Sequence, residues 1–452
     1  MPAHAHALTP GQPNTAFNGG SITMDHVGGP DARNYILAFA SIPGQGVLVL
    51  FSANEGQRAH YISKFGLDGQ LDRDFGDGGK VEVPSTGDLP GLLVVGERFL
   101  LTRFFSSALY ATRFNADGKP DSGYGSNGTA VVMLAELNPG EALEGLRDTP
   151  ISEVHADSLV QGGGKIPGVV IAVPATCYVA DTGEVYFCFT ADMRLPAVVR
   201  VSDRGRLDTT FNGAGFRIFD LAGTSYSAAN FSSAAVDAAR GLIVLMRTFS
   251  QPSAPEEVLM VRLNENGSQD FPFGNYLPAS VGALAASPKV IVDPDGALKI
   301  VGAYDGTIAR GFKANGTVDP LFNNGEPLHT PVTGAMSSHG AGGTSGLQGA
   351  YRLVAATHIG VGRRQAAITR QLADGTLDAE FGQQGIVTRE LDPTGQGLSV
   401  VLHVLPDSDI LIKTGWHLYW LAGFARDLKV RRSTVPWWWI PFAAVRNWII
   451  RL

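Results

Sequence analysis

The chain has 452 residues, of which 44% are apolar and only 17% are charged, and its formal net charge is −7. With no basic stripe to neutralise phosphates, this composition excludes a general nucleic-acid binder. The 56 glycines indicate a fold with many turns. Residues 1–22 lack the basic start and apolar run of a secretory signal. We therefore expect a cytoplasmic protein or one exported by a non-classical route.

A short motif recurs along the chain and is clearest at residues 68–79, which read Asp-Gly-Gln-Leu-Asp-Arg-Asp-Phe-Gly-Asp-Gly-Gly. The copies at 204–215 and 374–385 are the next strongest, and the most degenerate lies near the N-terminus. Each copy contributes one aromatic residue. These aromatic residues are Phe17, Phe75, Tyr124, Phe211, Phe273, Phe322 and Phe381.

The chemistry of the motif predicts a compact turn with a buried ring. Asp-Gly or Asn-Gly supplies the positive φ that a tight turn between strands requires. The second Asp or Asn, three residues before the aromatic, is expected to accept hydrogen bonds from nearby backbone amides. The aromatic then packs as an anchor, and the closing glycine lets the chain leave in a conformation that bulkier residues avoid.

Strand-like segments fill the intervals between the motif aromatics, which are 49 to 87 residues long. After Phe75 four such segments follow, at 80–83, 92–95, 98–104 and 108–114, and we interpret them as one four-stranded blade. Short strands with glycine-rich turns favour a sandwich, a barrel or a propeller, and a repeat period near ~50 residues favours the propeller.

The motif resembles the delta-60 repeat, a bacterial repeat of the pattern F-x-x-D-G-x-L-D-x-x-F-G-x-x-G. Lys64-Phe65 and Arg113-Phe114, just ahead of their turns, fit the opening of that pattern. The resemblance covers about residues 10–427. It implies a β-propeller-like array, and it implies no catalytic residues, because the family has no established catalytic set.

The two ends of the repeat region are expected to complete one blade together. The N-terminal copy has no full strand set before it, and strand-like segments at 398–403, 409–414 and 418–424 have no good motif after them. The prediction is an all-β, seven-bladed β-propeller with four-stranded blades over residues 10–427, preceded by an extension at 1–9. Six or eight blades stay open, because the 87-residue interval has room for an extra unit.

Two segments interrupt the repeat. Residues 133–165 read as an insertion on one rim, where binding loops often lie. Residues 332–350 are rich in Gly and Ser and predict a flexible loop that replaces part of a strand.

The only two cysteines, Cys177 and Cys188, flank a predicted hairpin. A two-residue turn would place them opposite each other, whereas a bulged turn would shift the register by one. Two buried thiols are favoured over a disulfide in a chain without a secretory signal.

The C-terminal segment 428–452 is basic and rich in tryptophan. From residue 426 onward, six basic residues oppose one acidic residue, and residues after Pro441 follow helical spacing. It is expected to pack on the propeller, to dock into a partner protein or to insert at a membrane surface. The hypothesised interface residues are Trp437, Trp438, Trp439, Phe442 and Trp448.

Motifs for catalysis or cofactor binding are missing from the sequence, so no catalytic residue, metal site or cofactor is predicted. Asp72, Asp74 and Asp77 suggest a calcium loop, but the other copies do not keep these acids. The favoured function is a non-catalytic binding propeller that presents loops and its C-terminal segment to a protein or glycan. The alternatives are a secreted or delivered effector whose amphipathic C-terminal segment engages membranes, and an enzyme with a site in the central channel.

Overall fold

The structure is a computed structural model of the 452-residue chain. It describes residues 12–23, 34–54, 58–84, 88–105, 108–137, 171–191, 195–219, 228–237, 239, 241–249, 257–270, 273, 288–303, 306–332, 344–348, 352–359, 365–390, 401–404, 410–413 and 417–421. These residues form an all-β fold with short 3-10 turns at Asn18–Gly20, Leu134–Leu137, Phe211–Gly213 and Asn323–Gly325.

The described strands form antiparallel sheets, which we number I to VII. Sheet I contains β2 (Tyr35–Ile42), β3 (Gly46–Asn54), β4 (Arg58–Phe65) and β5 (Lys80–Val83). Sheet II contains β6 (Asp88–Val95), β7 (Arg98–Phe105), β8 (Ala108–Phe114) and β9 (Thr129–Met133). Sheet III contains β10 (Ile171–Val179), β11 (Val185–Ala191), β12 (Leu195–Val201) and β13 (Phe216–Ile218).

Sheet IV has three described strands, and the other sheets have four. Sheets IV to VII contain β14 (Ala228–Asp237), β15 (Gly241–Phe249) and β16 (Glu257–Leu263); β17 (Lys289–Val292), β18 (Leu298–Ala303), β19 (Gly306–Phe312) and β20 (Leu328–Pro331); β21 (Thr344–Gln348), β22 (Arg352–Ile359), β23 (Gln365–Gln371) and β24 (Ile386–Glu390); β25 (Val401–Val404), β26 (Ile410–Lys413), β27 (His417–Leu421) and β1 (Ser21–Thr23).

The repeat is offset from the sheet by one strand, which corrects the predicted blade. The four segments after Phe75 are strands, but the first of them, β5, pairs with β4 and completes sheet I. Sheet II then begins at β6 and ends at β9. The physical reason is that the motif is a hairpin turn between the third and fourth strands, so it returns the chain to the sheet it came from.

Neighbouring sheets pack face to face in chain order. The first strands of the sheets contact one another in succession, which makes them the inner strands and the fourth strands the outer ones. An apolar cluster fills the space between sheets II and III, with Phe104 and Leu109 packed among Phe187 and Phe189. A second cluster joins sheet VI to sheet VII through Ile368, Leu402, Ile410 and Ile412.

The first and last described strands lie in one sheet. β1 pairs antiparallel with β27, with Ser21 opposite Tyr419 and Ile22 opposite Leu418. Ile22 also belongs to an apolar cluster with Ile36, Val47 and Phe65 of sheet I. Sheet VII therefore packs against sheet VI on one side and, through β1, against sheet I on the other.

The remaining expectations have mixed outcomes. The predicted insertion 133–165 begins with the end of β9 and a 3-10 turn, and residues 138–170 lie outside the described residues. Part of the segment 332–350 that was predicted as a loop forms strand β21, which pairs with β22. The sequence predicted a loop here because Gly and Ser are common in loops. A strand forms nevertheless, because backbone pairing does not require large side chains.

Both cysteines are buried free thiols, as the sequence favoured. Cys188 lies opposite Thr176, and Cys177 lies opposite Phe187, so the register is shifted by one as a bulged turn predicts. The two side chains therefore point to opposite faces of sheet III. Burial raises the pKa of both thiols well above the ordinary range.

Candidate functional site

The motif aspartate closes each turn as the sequence predicted. In the copy around Tyr124, the Oδ1 of Asp121 accepts a hydrogen bond from the Gly123 amide at 3.0 Å. The amide of Tyr124 donates to the Asp121 carbonyl at 2.9 Å. The closing residue Gly128 has φ +88°, which a larger side chain rarely adopts. Hydrogen bonds within the turn therefore stabilise it in addition to the packing of its aromatic ring.

A basic residue eight positions before the motif aspartate pairs with its second oxygen. The ion-pair distances lie between 2.5 and 3.2 Å for Lys64–Asp72, Arg113–Asp121, Arg200–Asp208, Arg262–Asp270 and Arg370–Asp378. Four of these guanidinium groups also lie 4.4 to 4.9 Å from the centroid of the motif aromatic. Burial raises the pKa of the Asp121 carboxyl, but the Gly123 amide and Arg113 outweigh it and hold that pKa below its usual range.

Among the described residues, five motif copies also contact the next copy along the chain. The amide after the aromatic donates to the carbonyl before the next Asp-Gly-type glycine, as from Gly76 to Asp117 at 3.0 Å and from Gly125 to Arg204 at 2.8 Å. A Cβ on Gly118 would lie 3.2 Å from the Phe75 ring. The motif is therefore both a turn within one sheet and a contact to the next.

Sheet V keeps a cation near the motif aromatic, but this cation pairs with Asp293 and not with the motif aspartate. Gly311 stands where the other copies have a basic residue, and Phe322 occupies the space of the missing side chain. Lys299, whose Cα partner is Gly311, lies 5.9 Å from the Phe322 ring centroid and pairs with the buried carboxylate of Asp293. A neighbouring strand thus supplies the cation here.

A cleft of about 400 Å³ opens between sheets II and III, at the end that carries the motif turns. Its walls are the β6–β7 hairpin, the β10–β11 hairpin and the motif turn of sheet III. The side chains that line it are Val95, Glu97, Arg98, Leu100, Arg113, Thr182, Asp203 and Arg204, together with Gly183.

The cleft holds charged groups beyond those that the repeat requires. Arg113 is already engaged by Asp121 and by the Asp203 carbonyl, to which its Nη1 donates at 2.6 Å. Arg98 reaches the same carboxylate at 3.4 Å, and 52% of its side chain stays exposed. Glu97 and Arg204 are also exposed. The cleft therefore exposes positively and negatively charged side chains to solvent, next to the buried ion pair of Arg113 with Asp121.

The predicted site residues fall into two groups. All seven motif aromatics are buried, with at most 2% of their surface exposed. Trp437, Trp438, Trp439, Phe442 and Trp448 lie outside the described residues, so their interface role stays a prediction. The cleft residues Arg98 and Arg204 were missed. A charged hairpin tip at residues 97–98 was the only signal, and such tips are common on any surface.

Metal sites and membrane-crossing helices are two further features that bear on function. Within the described ranges, no three His, Cys, Asp or Glu side chains converge on a position for a metal ion. No helix in the same part of the chain has the length and hydropathy needed to cross a membrane.

No family model matches the chain, so the resemblance to the delta-60 repeat stays a prediction. No curated protein matches it either. Among solved structures, it is similar to BBS1N in complex with ARL6DN, with 9% identity over 93% of this chain and 95% of that one, and a TM-score of 0.40.

A variant of KlHsv2, with loop 6CD replaced by a Gly-Ser linker, is 9% identical over 84% of this chain and 90% of that one, with a TM-score of 0.41. The NanB sialidase from Streptococcus pneumoniae is 9% identical over 86% of this chain and 68% of that one, with a TM-score of 0.37. Likenesses this distant say nothing about what this chain binds.

Proposed function

We propose that this protein is a non-catalytic binding protein built as a seven-bladed β-propeller of delta-60-like repeats. The sheets succeed one another with inner and outer strands, and β1 completes the sheet formed by β25 to β27. This arrangement supports the propeller, because a ring of packed sheets with a shared first and last sheet is how that fold closes.

The cleft between sheets II and III carries the proposal of binding. Most charged side chains of the repeat form ion pairs inside the fold. In the pair of Arg370 with Asp378, the two side chains are 0% and 5% exposed. Arg98 and Arg204 are instead exposed at a concave surface. Arginine is enriched among the residues that dominate binding energy at interfaces. A protein segment or a glycan of suitable shape would be held there by groups of both signs.

The C-terminal segment supplies the second part of the proposal. Its tryptophans are the kind of side chain that dominates contacts once it is desolvated. We propose that residues 430–452 act together with the cleft on a protein partner, or alternatively on a glycan.

Binding of glycans on an array, and of proteins captured from the native cell, tests this proposal. We expect the Arg98→Ala/Arg204→Ala variant, or a chain that ends at residue 429, to bind one defined ligand with a Kd about tenfold higher, equivalent to ~1.4 kcal/mol of binding free energy. Lys119→Ala is the matched control, because Lys119 is exposed on a motif turn and does not line the cleft. Ligand binding that survives both changes would contradict the proposal.

A further inference from the structure

Large apolar side chains are exposed at six described positions, and three of them lie together on sheet II. Phe105, Val131 and Met133 are 37%, 48% and 37% exposed. The register places Ala108 between Phe105 and Met133, and Tyr110 next to Val131, so these residues share one face of β7, β8 and β9. The Phe105 and Tyr110 rings meet edge to face at 5.3 Å. We name Phe105, Tyr110, Val131 and Met133 the sheet II patch.

Of the five other fourth strands that the structure describes, four differ from the outer strand of this patch, and β1 (Ser-Ile-Thr) resembles it in carrying neither a charge nor a proline. β9 reads Thr-Ala-Val-Val-Met, with no charge and no proline. Four other fourth strands carry such residues: Lys80 and Glu82 in β5, Arg217 in β13, Pro331 in β20, and Arg389 and Glu390 in β24. Charges and prolines on outer strands protect an open sheet edge from unwanted pairing. β9 lacks both and also exposes Val131 and Met133, so this surface is poorly adapted to face water alone.

A buried cation lies under the patch. Arg103 is cross-strand from Tyr110, its Cζ is 5.0 Å from the Tyr110 ring centroid, and only 7% of the residue is exposed. Its Nη2 donates to the Thr112 hydroxyl at 3.4 Å, and its Nε has no hydrogen-bond partner. No carboxylate of the described chain pairs with it. Burial lowers the pKa of its guanidinium.

This cation contrasts with the arginines of the repeat, each of which meets a carboxylate. Arg113 and Arg200 lie at 2.9 and 2.8 Å from theirs. A buried charge without a carboxylate partner is costly, and an acid brought to it would recover part of that cost. Arg103 therefore defines the chemistry that complements the patch: a carboxylate flanked by apolar groups.

We propose that the sheet II patch is a docking surface for a partner protein that places an acidic side chain over Arg103 and apolar side chains against Phe105 and Val131. The patch lies at the end of the strands opposite the motif turns, since β7 begins at Arg98 beside the cleft and ends at Phe105. It is a second surface, and it does not depend on ligand binding at the cleft.

Fluorescence anisotropy with three labelled peptides tests this chemistry on the full chain. The peptides have blocked ends and carry Leu-Glu-Leu, Leu-Gln-Leu or Leu-Lys-Leu between Gly-Ser flanks. We expect the Glu peptide to bind about tenfold more tightly than the Gln peptide, and the Lys peptide to bind most weakly. Arg103→Gln should abolish the preference for Glu.

Because Arg103→Gln removes a buried side chain, a surface variant keeps the test decisive. Val131→Ser/Met133→Ser should keep the melting temperature and weaken the Glu peptide about tenfold. The matched control is Leu321→Ser, which changes an apolar side chain that is 82% exposed elsewhere. Equal affinity for the three peptides, or no binding of the Glu peptide at millimolar concentration, would overturn the proposal. So would a dimer that the surface variant dissociates, because the occupant would then be a second copy.

Discussion

At the scale of single residues, the basic position before each motif combines several contacts in one side chain. Arg113 pairs with Asp121, lies 4.4 Å from the Tyr124 ring centroid and donates to the Asp203 carbonyl of the next turn. It therefore couples its own turn to the neighbouring sheet. Removing one member of a buried ion pair leaves the other charge buried and uncompensated, which is the costly outcome.

The Arg370→Gln substitution tests this role where burial is greatest. Arg370 pairs with Asp378 at 2.9 Å, with none of its side chain exposed. We expect the free energy of unfolding to fall by about 3–5 kcal/mol, measured by urea denaturation. Lys119→Gln, at an ion pair with 80% and 49% exposed side chains, should leave stability nearly unchanged. Similar losses for the two variants would show that the repeated ion pair is not structural.

At the scale of elements, the strands could be predicted because short segments rich in apolar residues lie between glycine-rich turns. β5 and β8 begin and end where the sequence placed them. The assignment of strands to sheets failed, because β5 lies nearer in sequence to β6 than to β4, the strand with which it pairs. Only the hairpin geometry of the motif decides between these two partners.

The cleft and the patch could not be read from the sequence for a different reason. The contact of Arg113 with Asp203 spans 90 positions, so no local pattern contains it. Val131 falls outside the predicted strands, and Met133 falls in the predicted insertion 133–165. Their exposure depends on β9 being the outer strand of sheet II, which is a property of the whole fold.

Sheet V has Gly311 in place of the repeated basic residue, with Phe322 packed against it, and this gives a prediction. A Cβ on Gly311 would lie 2.5 Å from the Phe322 Cβ, so Gly311→Ala should destabilise the protein by about 1–3 kcal/mol through overpacking. Gly123→Ala is the control, because its nearest neighbour would be the Asp121 Oδ1 at 3.3 Å. Thermal unfolding of the two variants compares them. Equal melting temperatures would mean that Phe322 does not fill the space of the absent side chain.

At the scale of the whole molecule, the account depends on how the two ends of the repeat region meet. β1 has only three residues, yet Ile22 is 2% exposed and joins sheet VII to the core of sheet I. Closing a succession of sheets removes the free faces that its first and last members would otherwise expose. The sequence indicated this closure through the incomplete strand sets at its two ends. The number of sheets was left open there because the longest interval between motifs had room for another unit.

Disulfide trapping across the shared sheet tests this closure most directly. Ser21 and Tyr419 are Cα partners in the β1–β27 pair, so Ser21→Cys/Tyr419→Cys should form an intramolecular disulfide on mild oxidation, detected by peptide mass spectrometry. The control Ser21→Cys/Val404→Cys places the two thiols on the fourth and first strands of sheet VII, three strand spacings or at least roughly 14 Å apart, and should not cross-link. Efficient linkage of the first pair alone is the predicted result. No linkage between the two thiols introduced in the first variant, or equal linkage in the control, would contradict the closed ring.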